Sequence, residues 1–288
     1  MNIANRHVRG ALLITAAMFI FSSIGPFVRT IALPVSVIIC ITSGMSALFL
    51  LAWFVCRGGL GQLDIRGHRR WLLVSAACIF GNVFCYYHAY RMTTMANAVI
   101  THYTAPVFAA LLAPLMLREQ WERVTGIALL ISMAGLLLLA GDVSLGRPHM
   151  AGTALGMVSG LFYGISIVVG KRLVSRYRPP VIMFYQCMLV SGLALPLAAP
   201  GPWTMTAGTL TVLCAYAVVV GLLAAGLYLQ GLRHVEAQHA GILAYSELLF
   251  VVLLGVLLGE TPGVRVVAGG VLIALSGWVV LLAESRRS

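Results

Sequence analysis

Glu247 is the one acidic side chain that falls near the middle of a long apolar stretch. Carrying a carboxyl to the centre of a bilayer costs about 2.5–3.5 kcal/mol on insertion scales, so it is expected to face a bundle interior or a wet cavity. There it can exchange a proton, hold an ammonium group, or make a helix-packing hydrogen bond to a serine or tyrosine. A second concentration of polar and aromatic groups runs from 82 to 104. Asn82, Tyr86 and Tyr90 recur every four residues and share one helix face, beside Tyr87 and His88; Asn97, Thr101 and Thr104 share another, beside His102 and Tyr103. A third pattern is a stripe of small residues around one tyrosine: Gly152, Gly156, Ser159, Tyr163, Ser166 and Gly170. Such stripes let helices approach closely, and a tyrosine within one can instead present its ring to a substrate. Thr15, Ser22, Pro26 and Arg29 fall on a comparable face. The candidate cavity and substrate-binding residues are Ser22, Asn82, Tyr86, His88, Asn97, Thr101, His102, Tyr103, Tyr163, Tyr228, Tyr245 and Glu247. Pro26 and Pro106 free backbone carbonyls and are the candidate hinges.

The sequence carries no HExxH, no GxSxG, no clustered carboxylates and no GxxxxGK[ST] loop. Intramembrane enzymology and ATP-driven pumping are therefore disfavoured, and neither cofactor nor metal is expected. The six cysteines, Cys40, Cys56, Cys78, Cys85, Cys187 and Cys214, form no CxxC pair and read as small packing residues.

The elements that must position these groups follow from composition. Of 288 residues 60% are hydrophobic and 9% charged, with a mean hydropathy of +0.98, so water is not the solvent of most of this chain. At about 20 apolar residues per crossing, the length accommodates some ten spans. Apolar stretches lie near 9–29, 33–56, 70–90, 95–117, 123–140, 150–172, 180–199, 207–231, 237–258 and 263–283. Each must be helical, because lipid offers no partner to backbone N–H and C=O groups. Arg6 and Arg9 precede the first stretch, which is too long for a cleaved leader and reads as an uncleaved first helix.

With the N-terminus placed inside, alternate loops divide the 19 basic residues unevenly. Arg6, Arg9, Arg57, Arg66, Arg69, Arg70, Arg118, Arg123, Lys171, Arg172, Arg176, Arg178, Arg233, Arg286 and Arg287 fall on the inner side, against Arg29, Arg91, Arg147 and Arg265 on the outer. That bias predicts cytoplasmic N- and C-termini in a bacterial-type inner membrane. The net charge of +11 is scattered over short loops and does not point to nucleic acid.

Laid against itself at an offset of 142, the sequence pairs Arg29 with Lys171, Tyr86 with Tyr228, Arg91 with Arg233, Tyr103 with Tyr245 and Arg123 with Arg265. Leucine coincidences are cheap in so apolar a chain; paired tyrosines and arginines at one constant offset are not. Five spans per copy is an odd number, so the second copy must enter the membrane from the opposite side. The expected fold is an all-α integral membrane protein of ten transmembrane helices in two inverted five-helix repeats, 1–143 and 144–288, forming one membrane domain.

Residues 103–120, YTAPVFAALLAPLMLREQ, and 245–260, YSELLFVVLLGVLLGE, resemble the repeat signature of the EamA branch of the drug/metabolite transporter superfamily. Leu248 stands where the second copy usually has Pro, which removes the sequence reason for a kink in the ninth span, and Arg118 stands where Gly usually precedes Glu119. The resemblance, which covers essentially the whole chain, implies a carrier with a cavity lined mainly by spans 1, 3, 4, 6, 8 and 9. Glu119 and Glu260 lie at helix ends, where they are expected to cap or to pair with Arg118, Arg123 or Arg265; Arg29 and Lys171 are expected to close gates or to snorkel.

The expected function is secondary active transport of a small metabolite by alternating access. Amino-acid export, of aromatic or apolar side chains, comes first, because phosphate recognition would call for Arg or Lys inside the spans. Multidrug, nucleoside or vitamin carriage is the alternative. The partners expected are the substrate and the bilayer. Gly126, Gly135, Gly269, Gly270 and Gly277 in spans 5 and 10 serve either internal packing or dimer contact, leaving monomer and homodimer open.

Overall fold

Helix is the only secondary structure among the described residues, as lipid demands of a chain this apolar. The computed structural model describes residues 3–65, 69–140, 149–199, 203–257 and 263–285. Glu260, Arg66, Arg147, Arg286 and Arg287 lie outside them. Nine helical segments among the described residues are long and apolar enough to cross a membrane, and a shorter apolar helix, Arg123–Leu139, stands where the fifth span was expected. Their outer faces are aliphatic: Leu115, Leu130 and Val264 are 80, 71 and 86% exposed, as suits side chains that meet acyl chains.

The first span is jointed, with α1 (Ile3–Phe21) and α2 (Ile24–Thr30) separated at Ser22–Ser23. Pro26 has no N–H to give the Ser22 carbonyl, so the ladder fails one turn ahead of the proline. α3 (Val35–Cys56) and α4 (Arg69–Met92) are continuous, and α5 (Met95–His102) and α6 (Ala105–Leu117) form the fourth span around a break at Tyr103–Thr104, one turn before Pro106. α7 (Arg123–Ala140), α8 (Met150–Val174) and α9 (Pro179–Ala198) follow. The next span runs from α10 (Ala207–Tyr216) through a π-helical segment, Ala217–Ala224, into α11 (Ala225–Leu232). α12 (Ala237–Ala244) and α13 (Ser246–Leu257) break at Tyr245, and α14 (Val264–Ser285) ends the described chain. The break at Tyr245 occurs although Leu248 replaces the family's proline, so proline is not what enforces it. Arg118 caps α6 in the left-handed region at φ 60, ψ 26. Glycine enters that region without penalty, which accounts for its usual presence at the position.

Glycines set the closest helix approaches. A Cβ on Gly156 would fall 1.9 Å from Thr101 Oγ1, on Gly160 2.7 Å from the His102 carbonyl oxygen, and on Gly164 2.6 Å from Phe108 Cβ, so α8 lies directly on the broken fourth span. Gly135 and Gly269 press α7 and α14 together, each Cβ position lying within 2.7 Å of the other's carbonyl oxygen. Those two serve internal packing; Gly277 meets nothing within 4 Å.

Several structural details recur at the repeat offset. α5 and α12 are the same length and start 142 residues apart, at Met95 and Ala237. Arg29 donates to the carbonyls of Tyr90 and Thr93, at 3.3 and 3.2 Å. Lys171 donates to those of Leu232 and Val235, at 2.9 and 2.6 Å, with the same sequence separations of 61 and 64. Each cation closes off the C-terminal carbonyls of the third helix of its repeat, where the helix dipole is negative. Both cations, for which gating or snorkelling was expected, are engaged in helix-capping contacts. Lys171→Met is expected to lower the apparent melting temperature by several degrees, since hydrogen bonds from charged groups contribute about 1.5–3 kcal/mol; Arg29→Met should do the same, and Lys171→Arg should not. Thermal unfolding of the purified protein checks it.

Candidate functional site

The two mid-span breaks meet at the centre of the bundle. Tyr103 and Tyr245, 142 residues apart, are both fully buried and stack with ring centroids 5.5 Å apart at 28°, and the Tyr245 hydroxyl donates to the Tyr103 carbonyl at 3.0 Å. Repeat-related residues can touch each other only where the two copies meet. Glu247 follows directly, in the first turn of α13, where the helix N-terminus favours a carboxylate.

Glu247 borders a central cavity of about 250 Å³. One wall is a column of rings: Tyr86 stacks on His102 at 3.8 Å and 17°, and His102 on Tyr163 at 5.1 Å and 9°. Tyr86 rises from α4 and Tyr163 from α8, while His102 ends α5 and is held by Ser159 Oγ at 2.9 Å from Nδ1. Toward the Arg29 end, Phe27 of α2 lies flat on Tyr216, centroids 3.7 Å apart, and the Tyr216 and Tyr87 hydroxyls share a 2.6 Å hydrogen bond. Toward the Lys171 end the wall includes Gly170 and Leu232, with Leu232 Cδ2 3.2 Å from where a Gly170 Cβ would stand.

The π-helical segment forms another wall. A wider turn frees carbonyls, and Ser46 of α3 donates to that of Ala217 at 3.0 Å; Gly221 admits this contact, since its Cβ would lie 2.4 Å from Ser46 Oγ. From α9, Gln186 donates to Ser75 at 2.7 Å and still borders the cavity. Among the described residues of the lining, Glu247 is the only Asp, Glu, Lys or Arg. Several buried polar atoms here lack an ordinary hydrogen-bond partner: Asn82 Oδ1, Tyr228 OH, Tyr103 OH and Ser246 Oγ. The Tyr103 hydroxyl is in reach of the Glu247 carboxyl, and the Tyr228 hydroxyl of the Tyr163 hydroxyl, without ordinary hydrogen-bond geometry.

Of the residues singled out from sequence, Asn82, Tyr86, His102, Tyr163, Tyr228 and Glu247 border the cavity. Six others do not border it. Ser22 donates to the Phe19 carbonyl across the α1 joint, His88 bonds the Phe84 carbonyl, and Asn97 donates to Thr93. Thr101 donates to the Asn97 carbonyl while packing on Gly156; Tyr103 and Tyr245 are consumed by their mutual stack. Pro26 and Pro106 each follow a helix break. Sequence reasoning named Tyr87 but left it off the candidate list, it missed Tyr216 and Gln186, and the lining extends to spans 2 and 7 through α3 and α9. Gln186, a lone amide inside an apolar stretch, was a signal that could have been used.

Glu119 caps, as one of the two expectations had it, but on a distant helix. Its Oε1 accepts from the Ala237 N–H at the start of α12, 118 residues away, and burial pushes its carboxyl above the usual carboxylate range despite that bond.

A model of the EamA-like transporter family matches the chain twice, over residues 8–141 and 150–282. An Archaeoglobus fulgidus protein named as a transporter is 32% identical over 241 residues, covering 82% of this chain and 83% of its own. The pseudopaline exporter CntI of Pseudomonas aeruginosa is 25% identical over 281 residues, covering 93 and 94%. One solved crystal structure superposes with a TM-score of 0.80 at 18% identity, over 97% of this chain and 98% of that one.

Proposed function

This chain belongs to the EamA-like transporter family, and from that premise we propose that it is a secondary carrier whose cargo occupies the central cavity. The observation that carries the reading is the placement of Glu247 and the ring column at the point where two repeat-related helix breaks touch. Broken helices at mid-depth, with unpaired backbone and polar groups gathered there, are the usual construction of a carrier's binding site. The two halves, 1–143 and 144–288, are inverted repeats with five spans each, ten in all, and exchange conformations to expose the cavity alternately. The paired contacts at Arg29 and Lys171, and of Tyr103 with Tyr245, support that symmetry. Both termini face the cytoplasm of a bacterial-type inner membrane, following the loop charges.

The cargo is a small amphipathic amine. Amino acids with aromatic or apolar side chains, and their derivatives, form the class in view, with Glu247 facing the amino group and the ring column facing the apolar body. Transport is outward, a direction supported by a relative named as an exporter. Pro26 and Pro106 border the joints at which the halves flex.

Purified protein reconstituted into liposomes is expected to give saturable uptake of a labelled aromatic amine and to accelerate it severalfold when the vesicles are preloaded with the unlabelled compound. Unsaturable flux without counterflow would mark a channel and reject the carrier.

A further inference from the structure

We infer that the cavity selects organic monocations and discriminates against ligands bearing a free carboxylate. The inference rests on the proposed cargo site and narrows the class named there to amines whose carboxyl is masked or absent.

Three independent observations carry it. The first is charge. Glu247 is 8% exposed, and among the described residues no Lys or Arg borders the cavity with it. A ligand carboxylate would sit beside a buried carboxyl with no counter-cation, and placing like charges together in a desolvated interface costs several kcal/mol. An ammonium group meets the opposite situation.

The second is the ring column. Within the column His102 has both faces covered, while Tyr163 keeps one face, Tyr216 keeps the face that Phe27 does not cover, and Tyr228 adds a further ring to the lining. Aromatic faces are negative and attract cations within about 6 Å, most strongly where water is excluded. Neutral aromatic ligands gain from stacking alone; a protonated amine gains from both.

The third is an unsatisfied acceptor. Asn82 Oδ1 accepts only, and it is buried without an ordinary hydrogen-bond partner. A buried acceptor without a donor carries a desolvation penalty that a ligand N–H relieves. A ligand carboxylate, itself an acceptor, relieves nothing at Asn82 Oδ1. At about 250 Å³ the space is small beside ordinary ligand pockets, which limits the body of the cation to one or two rings.

The test compares four indole ligands on the purified full chain by isothermal calorimetry: tryptamine, tryptophan methyl ester, tryptophan and indole-3-propionate. Tryptamine and the ester are expected to bind at least about tenfold more tightly than tryptophan, with indole-3-propionate not binding, as like-charge exclusion requires. In Glu247→Gln the preference should shrink to within about threefold, and Glu247→Asp, which keeps the charge, should retain most of it. Tryptophan binding as tightly as tryptamine, a preference that survives Glu247→Gln, or absence of tryptamine binding at millimolar concentration would overturn the inference. Counterflow with the same four ligands separates the two ideas. Discriminating binding without counterflow rejects the carrier alone; counterflow of tryptophan with no preference for the amines rejects the monocation site alone.

Discussion

Replacing Glu247 with glutamine is expected to reduce amine flux into proteoliposomes at least tenfold while leaving the melting temperature close to that of the parent. The amide keeps the size of the side chain and its place in the first turn of α13, but removes the charge the cavity offers a cation. Hydrogen bonds and contacts that involve a charge contribute about 1.5–3 kcal/mol, which corresponds to roughly ten- to hundredfold in affinity. Initial rates normalised to reconstituted protein, taken across a range of pH, measure the effect. Parent-like flux at every pH would remove Glu247 from the mechanism and leave it as a packing residue between α13 and its neighbours.

The second large effect is expected at Gly164. A Cβ at this position would stand 2.6 Å from Phe108 Cβ, 2.8 Å from the Ala105 carbonyl oxygen and 3.1 Å from the Ala109 amide nitrogen, so two of the three obstacles are backbone. No rotamer change relieves them. Gly164→Val must push α8 off α6, and overpacking of this kind costs about 1–3 kcal/mol, a loss on the order of ten degrees in melting temperature at its upper end. Gly192→Ala, in α9, is the control, since nothing lies within 4 Å of its Cβ position. Equal stability of the two variants would mean that α8 does not sit where the structure has it.

The duplication was legible because it rests on costly residue types. Arg29 with Lys171 and Tyr103 with Tyr245 were paired by offset alone, and in the structure the first two make matching hydrogen bonds while the second two touch. Hydropathy likewise matched nine spans among the described residues, with the shorter apolar helix Arg123–Leu139 at the fifth expected position, since lipid selects on composition. What escaped was everything decided by helix geometry. The break at Tyr245 has no proline to announce it, and the π-helical segment at Ala217–Ala224 leaves no periodic trace in a stretch that is apolar all round. Tyr216 ends α10 just ahead of that segment and Gly221 lies within it; both border the cavity, and the stack of Phe27 on Tyr216 was out of reach as well. Helical spacing placed Asn97 and Thr101 on one face correctly, but that face turned out to meet the glycines of α8 and not the cavity.

The halves are alike in plan but not in detail. The first span is jointed at Ser22–Ser23, while α8, its counterpart, runs unbroken from Met150 to Val174; α4 is regular where its counterpart carries the π-helical segment. A body made of identical halves would dwell equally long facing each compartment. Under the alternating-access reading proposed above, the swap would exchange unlike parts, and the expected outcome is that the empty protein waits longer on one side, with half-saturation by cargo differing between the two faces of the membrane.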